Sequence, residues 1–506
     1  MIIINGQTFT IDDFALLFSR PQKVRVSSDI RKKVEQSHNL LGQHLDAGEA
    51  IYGVNTGFGA LSEHRIEESE LKQLQLNLIR SHCAGTGRPI DVGVTRAIIL
   101  LKLINFSHGY SGVRWRVVQQ LCDFFNHDIM PVIPSQGSVG ASGDLVPLSH
   151  LSLALIGEGE VHFNDRVIPT MLALRETGIE PLELGPKEGL GLVNGTQVST
   201  AFAVLGLHRM EKILKTADII GAMTVEATLS SRKVFNPKIH NLKKHPGQRK
   251  SAGNIWRILT RSQIVGSHKE CGIVQDPYSL RCMPHVHGAS RELFASMKKI
   301  VENEINSVSD NPLVLSARDG IVYSGHFHGE VIGQAVDSLA IAAVELGGIS
   351  ERRIFRMMEG VEGKVPKFLA HNPGLESGFM MAQVSAAALA SENKTQAFPA
   401  SVDSIPTESN QEDFVAMSPW AGRKLLRILK NVTHILGIEL MVAVQMLDLH
   451  KPLKPATVTA LVKALVRRHI KFARGDRVLS HDMEKAAELV AGGRLIAVVE
   501  SKIRLE

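Results

Sequence analysis

Cysteine is scarce. There are four in 506 residues, Cys83, Cys122, Cys271 and Cys282, and no pair has C-x-x-C spacing. That argues against a zinc knuckle and a dithiol redox motif, and it fits a reducing compartment. Aromatic residues make up only 5% of the chain, and no basic run is interleaved with them. The formal net charge is +6, with the basic residues scattered. Their densest stretch, residues 243–250, contains Pro246 and Gly247 and reads as a solvated loop, so no nucleic-acid partner is expected. The opening MIIINGQTFTIDDF lacks the basic-then-apolar order of a signal peptide. No apolar run reads as long enough to cross a bilayer. A cytoplasmic protein without a membrane partner is expected. Internal repeats and low-complexity segments are also missing.

What is present is a globular composition, 44% hydrophobic and 21% charged, in a chain long enough for two or three domains. IIIN and QTFTI around Gly6 read as a short strand pair. Ser27-Ser28-Asp29 reads as the cap of a helix ended by Gly48. IYGVNTGFGAL, with glycines at 53, 57 and 59, reads as a loop. TRAIILLKLINFSHGYSG reads as an apolar helix stopped by Gly109. Three longer helical patterns follow, beginning near residues 198, 328 and 422, and the last is apolar most of the way round. Its Glu439 reads as a paired or partly exposed carboxylate without a functional role. The expected fold is mainly α, a large central helical bundle with a smaller mixed N-terminal domain. Residues 1–110 would form the mixed α/β domain and residues 111–506 the long-helix bundle. Loops at 137–147, 190–198, 274–288, 306–330 and 396–420 carry the unusual polar residues.

One of these loops, GSVGASGDLVPLSH at 137–150, has little side chain for its length. GASGD is not the G-x-S-x-G of a nucleophile elbow. No Lys-Ser or Lys-Thr follows its glycines, and G-x-G-x-x-G spacing is missing, which argues against nucleotide loops. A structural turn is the plain reading of this segment alone. Two H-x-H pairs, His285/His287 and His326/His328, would face one way on a strand and could chelate. They leave a metal-dependent hydrolase as a remote alternative, although carboxylate or cysteine partners at comparable spacing are missing and no metal is expected.

Read together, the loops say more. YGVNTGFG at 52–59, ASGD at 141–144, NGTQ at 194–197, QDPYSLRC at 275–282, SDNP at 309–312 and NQED at 410–413 occur in this order. In order and spacing they resemble the aromatic amino acid ammonia-lyases, from about Tyr52 to the last long helix. Ser81-His82 and Asn410-Gln411-Glu412-Asp413 resemble the histidine-type members.

The resemblance implies that Ala141-Ser142-Gly143 cyclises into 4-methylidene-imidazol-5-one, an electrophile made from protein, with no external cofactor. The residue types suit that chemistry. Gly143 has no Cβ to obstruct a close approach, Ser142 carries a hydroxyl that can leave, and Ala141 is small. It further implies a small amino acid substrate and a homotetramer in which loops from three chains meet. The implied reaction is elimination of ammonia from L-histidine to give trans-urocanate. Tyr52 is the first choice for the base or proton shuttle, with Glu412 its rival or a partner for the imidazole. Tyr278 would position the amine or assist proton transfer, and Arg281 would hold the substrate carboxylate through paired hydrogen bonds. Asn194 and Gln275 would orient the electrophile and the carboxylate, Phe327 would wall the pocket, and His82 would hydrogen-bond the imidazole. Three positions depart from the histidine-type pattern. His326 replaces an asparagine, and Phe398 and Phe414 replace histidines. They keep open a phenylalanine- or tyrosine-type lyase or an aminomutase.

Overall fold

The computed structural model describes residues 1–268 and 274–506, so Cys271 lies outside the described residues. The chain is mainly α, in keeping with its apolar periodicity. It divides into two compact units. Unit 1 comprises Met1–Gly206, Lys298–Asp337 and Pro399–Arg423, and unit 2 comprises Leu207–Met297, Ser338–Phe398 and Lys424–Glu506. Residue 110 lies within unit 1.

Among the described residues, every strand belongs to unit 1. Ile2–Ile4 pairs in parallel with Val24–Val26, Ile2 opposite Val24. The strand expected at QTFTI does not form. Thr10 and Asp13 instead make a reciprocal capping box around a 3-10 turn at Ile11–Phe14, which buries Ile11 and Phe14. The parallel partner lies some twenty residues along the chain, beyond the reach of a hairpin reading. Thr86–Pro89 pairs antiparallel with Pro134–Gln136, and Glu160–Phe163 is the central strand of a three-stranded sheet. Leu313–Ser316 and Gly320–Val322 form a hairpin.

The helix Ser28–Asp46 starts at Ser27, whose side chain accepts from the Ile30 N–H. The 51–61 segment is a loop of turns ending in a 3-10 turn, Gly59–Leu61. The helix Val92–Ser107 is buried along most of its length, and Gly109 follows its end at φ +77°. Two polar residues on this apolar helix, Lys102 and Asn105, are buried with it.

Three long helices, Gln197–Ala227, Glu330–Met358 and Ser418–Leu449, correspond to the three long patterns. The last has 32 residues, about 48 Å at the usual rise. The last two do carry stretches as long and apolar as a membrane span, which the sequence reading did not credit. Those stretches are 61% and 78% buried inside the protein, as core helices are. In unit 2, Glu439 is fully buried and paired. Arg353 grips it through Nε and Nη2 at 2.5 and 2.8 Å, and Thr224 and Ser350 donate to it. The basic stretch expected as a loop is only partly one. Pro246 starts a helix, Pro246–Ile258, which presents Arg249 and Lys250 to solvent.

Candidate active site

The 137–144 loop leaves the strand Pro134–Gln136 and ends at Asp144, the cap position of the helix Leu145–Leu155. Gly143 lies in the left-handed region at φ +74°. A Cβ there would sit 2.3 Å from the Gly195 carbonyl oxygen, so only glycine fits. The next residue is fixed from two sides. The Asp144 N–H donates to the Gly195 carbonyl at 2.8 Å. Its buried carboxylate accepts from the Ser199 N–H and hydroxyl at 2.8 and 2.7 Å. Burial pushes the Asp144 carboxyl up to about 6, against the lowering effect of those hydrogen bonds. Upstream, Val139 accepts from Met417 N–H at 2.7 Å and Gly140 from Gly329 N–H at 3.1 Å. Small residues therefore serve close backbone contacts on several sides of this loop.

The loop's Ala141 and Ser142 line a cavity of roughly 640 Å³. Ser142 Oγ donates to Glu412 Oε1 at 2.8 Å, and Thr407 Oγ1 holds the other oxygen of that carboxylate at 2.6 Å. A turn presents Glu412: Thr407 and Glu412 pair across it, and Glu408, Ser409 and Asn410 all have positive φ, at 49°, 53° and 67°. Such a run is uncommon for non-glycine residues and marks a constrained segment. Tyr52 faces the same cavity, and its hydroxyl oxygen accepts from the Gly59 N–H at 2.9 Å. Burial raises the Tyr52 phenol above its ordinary value; the Gly59 hydrogen bond opposes this, and the charges of Glu408 and Glu412 add to it. The lining around Tyr52 has Glu408, Glu412 and Asp413 but neither lysine nor arginine, so no lysine or arginine charge in it favours the phenolate.

Asn194 and Phe327 also line the cavity. The Asn194 side chain donates to the Asn311 carbonyl at 2.6 Å, and its own carbonyl accepts from Lys102. His82 ends the helix Leu71–His82 and is not part of the lining. Burial lowers its imidazole pKa, while the Leu78 carbonyl and the Glu412 charge raise it. Of the three departures, Phe414 lines the cavity and stacks on His328 with ring centres 6.3 Å apart. His326 is exposed and bonded to Ser324 at 2.7 Å. Phe398 belongs to unit 2 and is exposed.

Gln275, Tyr278 and Arg281 also belong to unit 2. Gln275 and Arg281 line a separate cavity there, of roughly 630 Å³, beside Arg232 and Trp256. Arg281 Nε donates to the Asp276 carbonyl at 2.9 Å, and the guanidinium lies 4.6 Å from the centre of the Tyr278 ring, which is 70% exposed.

Comparison with known proteins decides the family. The profile of the aromatic amino acid lyase family matches residues 9–468. A histidine ammonia-lyase of Myxococcus xanthus is 43% identical over 99% of this chain and 98% of its own length. The chain belongs to the aromatic amino acid lyase family. Its fold is that of the solved histidine ammonia-lyase of Trypanosoma cruzi, at TM-score 0.91 and 37% identity over 99% of this chain and 96% of that one. It is equally that of the tyrosine aminomutase of Streptomyces globisporus, at TM-score 0.93 and 32% identity over the full length of both.

In this lyase neither H-x-H pair lies on a strand. His285 and His287 lie in the helix Met283–Ile305, where residues two apart point different ways. His287 is buried against Asp218 at 2.8 Å, while His285 faces His240. His328 Nε2 contacts the Phe414 carbonyl at 3.1 Å. Among the described residues no three His, Cys, Asp or Glu gather as metal ligands. Two polar groups carried little signal in the sequence. Glu408 reaches the cavity only through its left-handed turn. Lys102 lies behind Asn194, and its one clue was its place with Asn105 as two polar residues three apart in an apolar helix.

Proposed function

We propose that this lyase eliminates ammonia from L-histidine to give trans-urocanate, using 4-methylidene-imidazol-5-one formed from Ala141-Ser142-Gly143. The observation that carries the proposal is the Ser142 hydroxyl held on the Glu412 carboxylate inside a cavity, beside a Gly143 that has no room for a Cβ. Residues of this kind suit the condensation. The Gly143 nitrogen bonds to the Ala141 carbonyl carbon. The Ala141 oxygen leaves as water with the amide hydrogens of Gly143 and Ser142. The Ser142 hydroxyl leaves as a second water with the Ser142 α-hydrogen. Glu412 stands where, after taking up the Ser142 α-hydrogen as a proton, it can pass that proton to the departing hydroxyl. The finished ring supplies an electrophile that makes the substrate amine a better leaving group.

The chain's own residues then have distinct tasks. Tyr52 and Glu412 share the proton work on the substrate, Tyr52 as shuttle and Glu412 as carboxylate base or imidazole partner. His82 pairs with the imidazole ring, Asn194 orients the electrophile, and Phe327 forms a wall. A substrate carboxylate needs a cation, and the cavity lining of unit 1 supplies none. We assign that role to Arg281, with Gln275 beside it and Tyr278 positioning the amine, delivered by other copies in a homotetramer. Arg281 would also bring Tyr52 the positive charge that lowers a phenol pKa. Phe355, Met381 and Val384, exposed on unit 2 helices, are the kind of surface such an assembly covers. A cytoplasmic location completes the proposal.

Phe414 in the cavity favours a second reading, a phenylalanine- or tyrosine-type substrate or an aminomutase reaction. Supplying histidine, phenylalanine and tyrosine separately and following the near-ultraviolet rise of the unsaturated acid separates the two. Turnover of histidine alone supports the first reading. Turnover of phenylalanine or tyrosine, or β-amino acid formation without that rise, supports the second.

A further inference from the structure

Resting on that reading, we infer that Lys102 is a positioning residue for the condensation of Ala141-Ser142-Gly143, acting through the Asn194–Gly195 peptide. Lys102 is fully buried in the helix Val92–Ser107. Its ammonium donates to the Asn194 carbonyl at 2.5 Å and to Gln197 Oε1 at 3.3 Å. One residue on, the Gly195 carbonyl accepts the Asp144 N–H, and the Gly195 backbone occupies the space beside the Gly143 α-carbon. The chain of contacts thus runs from a buried cation, through the Asn194–Gly195 peptide and the adjoining Gly195–Thr196 peptide, to the residue whose nitrogen must close the ring.

A buried lysine has a desolvation cost that an apolar residue in the same helix would avoid. Several groups hold it in place. Burial lowers the Lys102 ammonium to about 7, against Asp310 and Asp144, which favour its charged form, while Lys187, itself paired with Asp310 at 3.0 Å, adds to the lowering. One helical turn away, Asn105 Oδ1 accepts from the Ser309 N–H at 2.9 Å, and Ser309 Oγ accepts from Gln197 Nε2 at 2.9 Å. Lys102 and Asn105 together brace the 194–197 and 309 segments against one rigid element. A cation on the Asn194 carbonyl fixes that peptide more strongly than a neutral donor, because charge-assisted hydrogen bonds are roughly twice as strong. Fixing it keeps the Gly195 carbonyl on Asp144 and stops the Gly143–Asp144 peptide from swinging away from Ala141. Lys102 touches none of the condensing atoms, so its effect is on their geometry.

The test uses full-length protein made in a cell-free system, with intact mass followed over time. Wild type should lose about 36 Da, two waters per chain. Lys102→Met should fold, by circular dichroism, yet condense at least about tenfold more slowly. Lys102→Arg should restore much of the rate. If Lys102→Met does not fold, Lys102→Gln decides, since it keeps a donor without the charge and should also be slow. Condensation at the wild-type rate in folded Met or Gln variants overturns the inference. A wild type that is active without any mass loss overturns the underlying reading instead.

Discussion

Ser142 donates its hydroxyl hydrogen to Glu412 across 2.8 Å, joining residues 270 positions apart in the chain. The bond places one of the two groups that must leave the tripeptide on the carboxylate that Thr407 also holds. Glu412→Gln keeps the size and removes the charge. Turnover of histidine should fall by about 10²–10⁴. Intact mass measured alongside turnover distinguishes failed condensation from failed proton transfer. Unchanged turnover would remove Glu412 from both tasks.

Tyr52 titrates above its ordinary value of 10.0, first because it is buried, and also because Glu408 and Glu412 lie near. A like charge disfavours the phenolate, so removing one must lower the phenol pKa. Glu408→Gln should shift the ultraviolet titration of Tyr52, read as the difference from Tyr52→Phe, toward lower pH. Any limb of the pH–rate profile set by Tyr52 should move the same way. A titration that stays in place or moves upward would contradict this electrostatic picture.

Arg281 is assigned to the active site of another copy. Tyr52→Phe and Arg281→Met should each be nearly inactive alone. Co-expressed and randomly mixed, they should regain about a quarter of wild-type activity, because that share of sites receives both intact residues. If Tyr52 and Arg281 of one chain serve one site, mixing restores nothing.

His82 is assigned to the imidazole, and a site built on a polar pair rejects substrates lacking it far better than an apolar pocket does. His82→Leu should lower kcat/KM for histidine by about 10² or more. It should also raise kcat/KM for phenylalanine. A loss shared equally by both substrates would make His82 structural.

The long helices were legible because a buried helix shows its apolar faces along its whole length, as in Val92–Ser107 and Ser418–Leu449. The opening strand was legible but its partner was not, since Ile2 pairs with Val24 and not with the neighbouring QTFTI. The loops that build the cavity were legible as a set of motifs. Local pattern alone would have left Ala141-Ser142-Gly143 a turn. Glu408 was hidden because three consecutive left-handed residues carry it to the cavity, and sequence periodicity holds no record of such a turn. The H-x-H pairs, which would face one way on a strand, lie instead in the helix Met283–Ile305 and in the turn region at 326–328.

Intact mass of purified, catalytically active enzyme, combined with fragmentation across residues 137–150, is the most direct measurement. The account predicts a deficit of about 36 Da confined to Ala141-Ser142-Gly143, absent in Ser142→Ala. Active enzyme with the full encoded mass and a linear peptide at that place would contradict it.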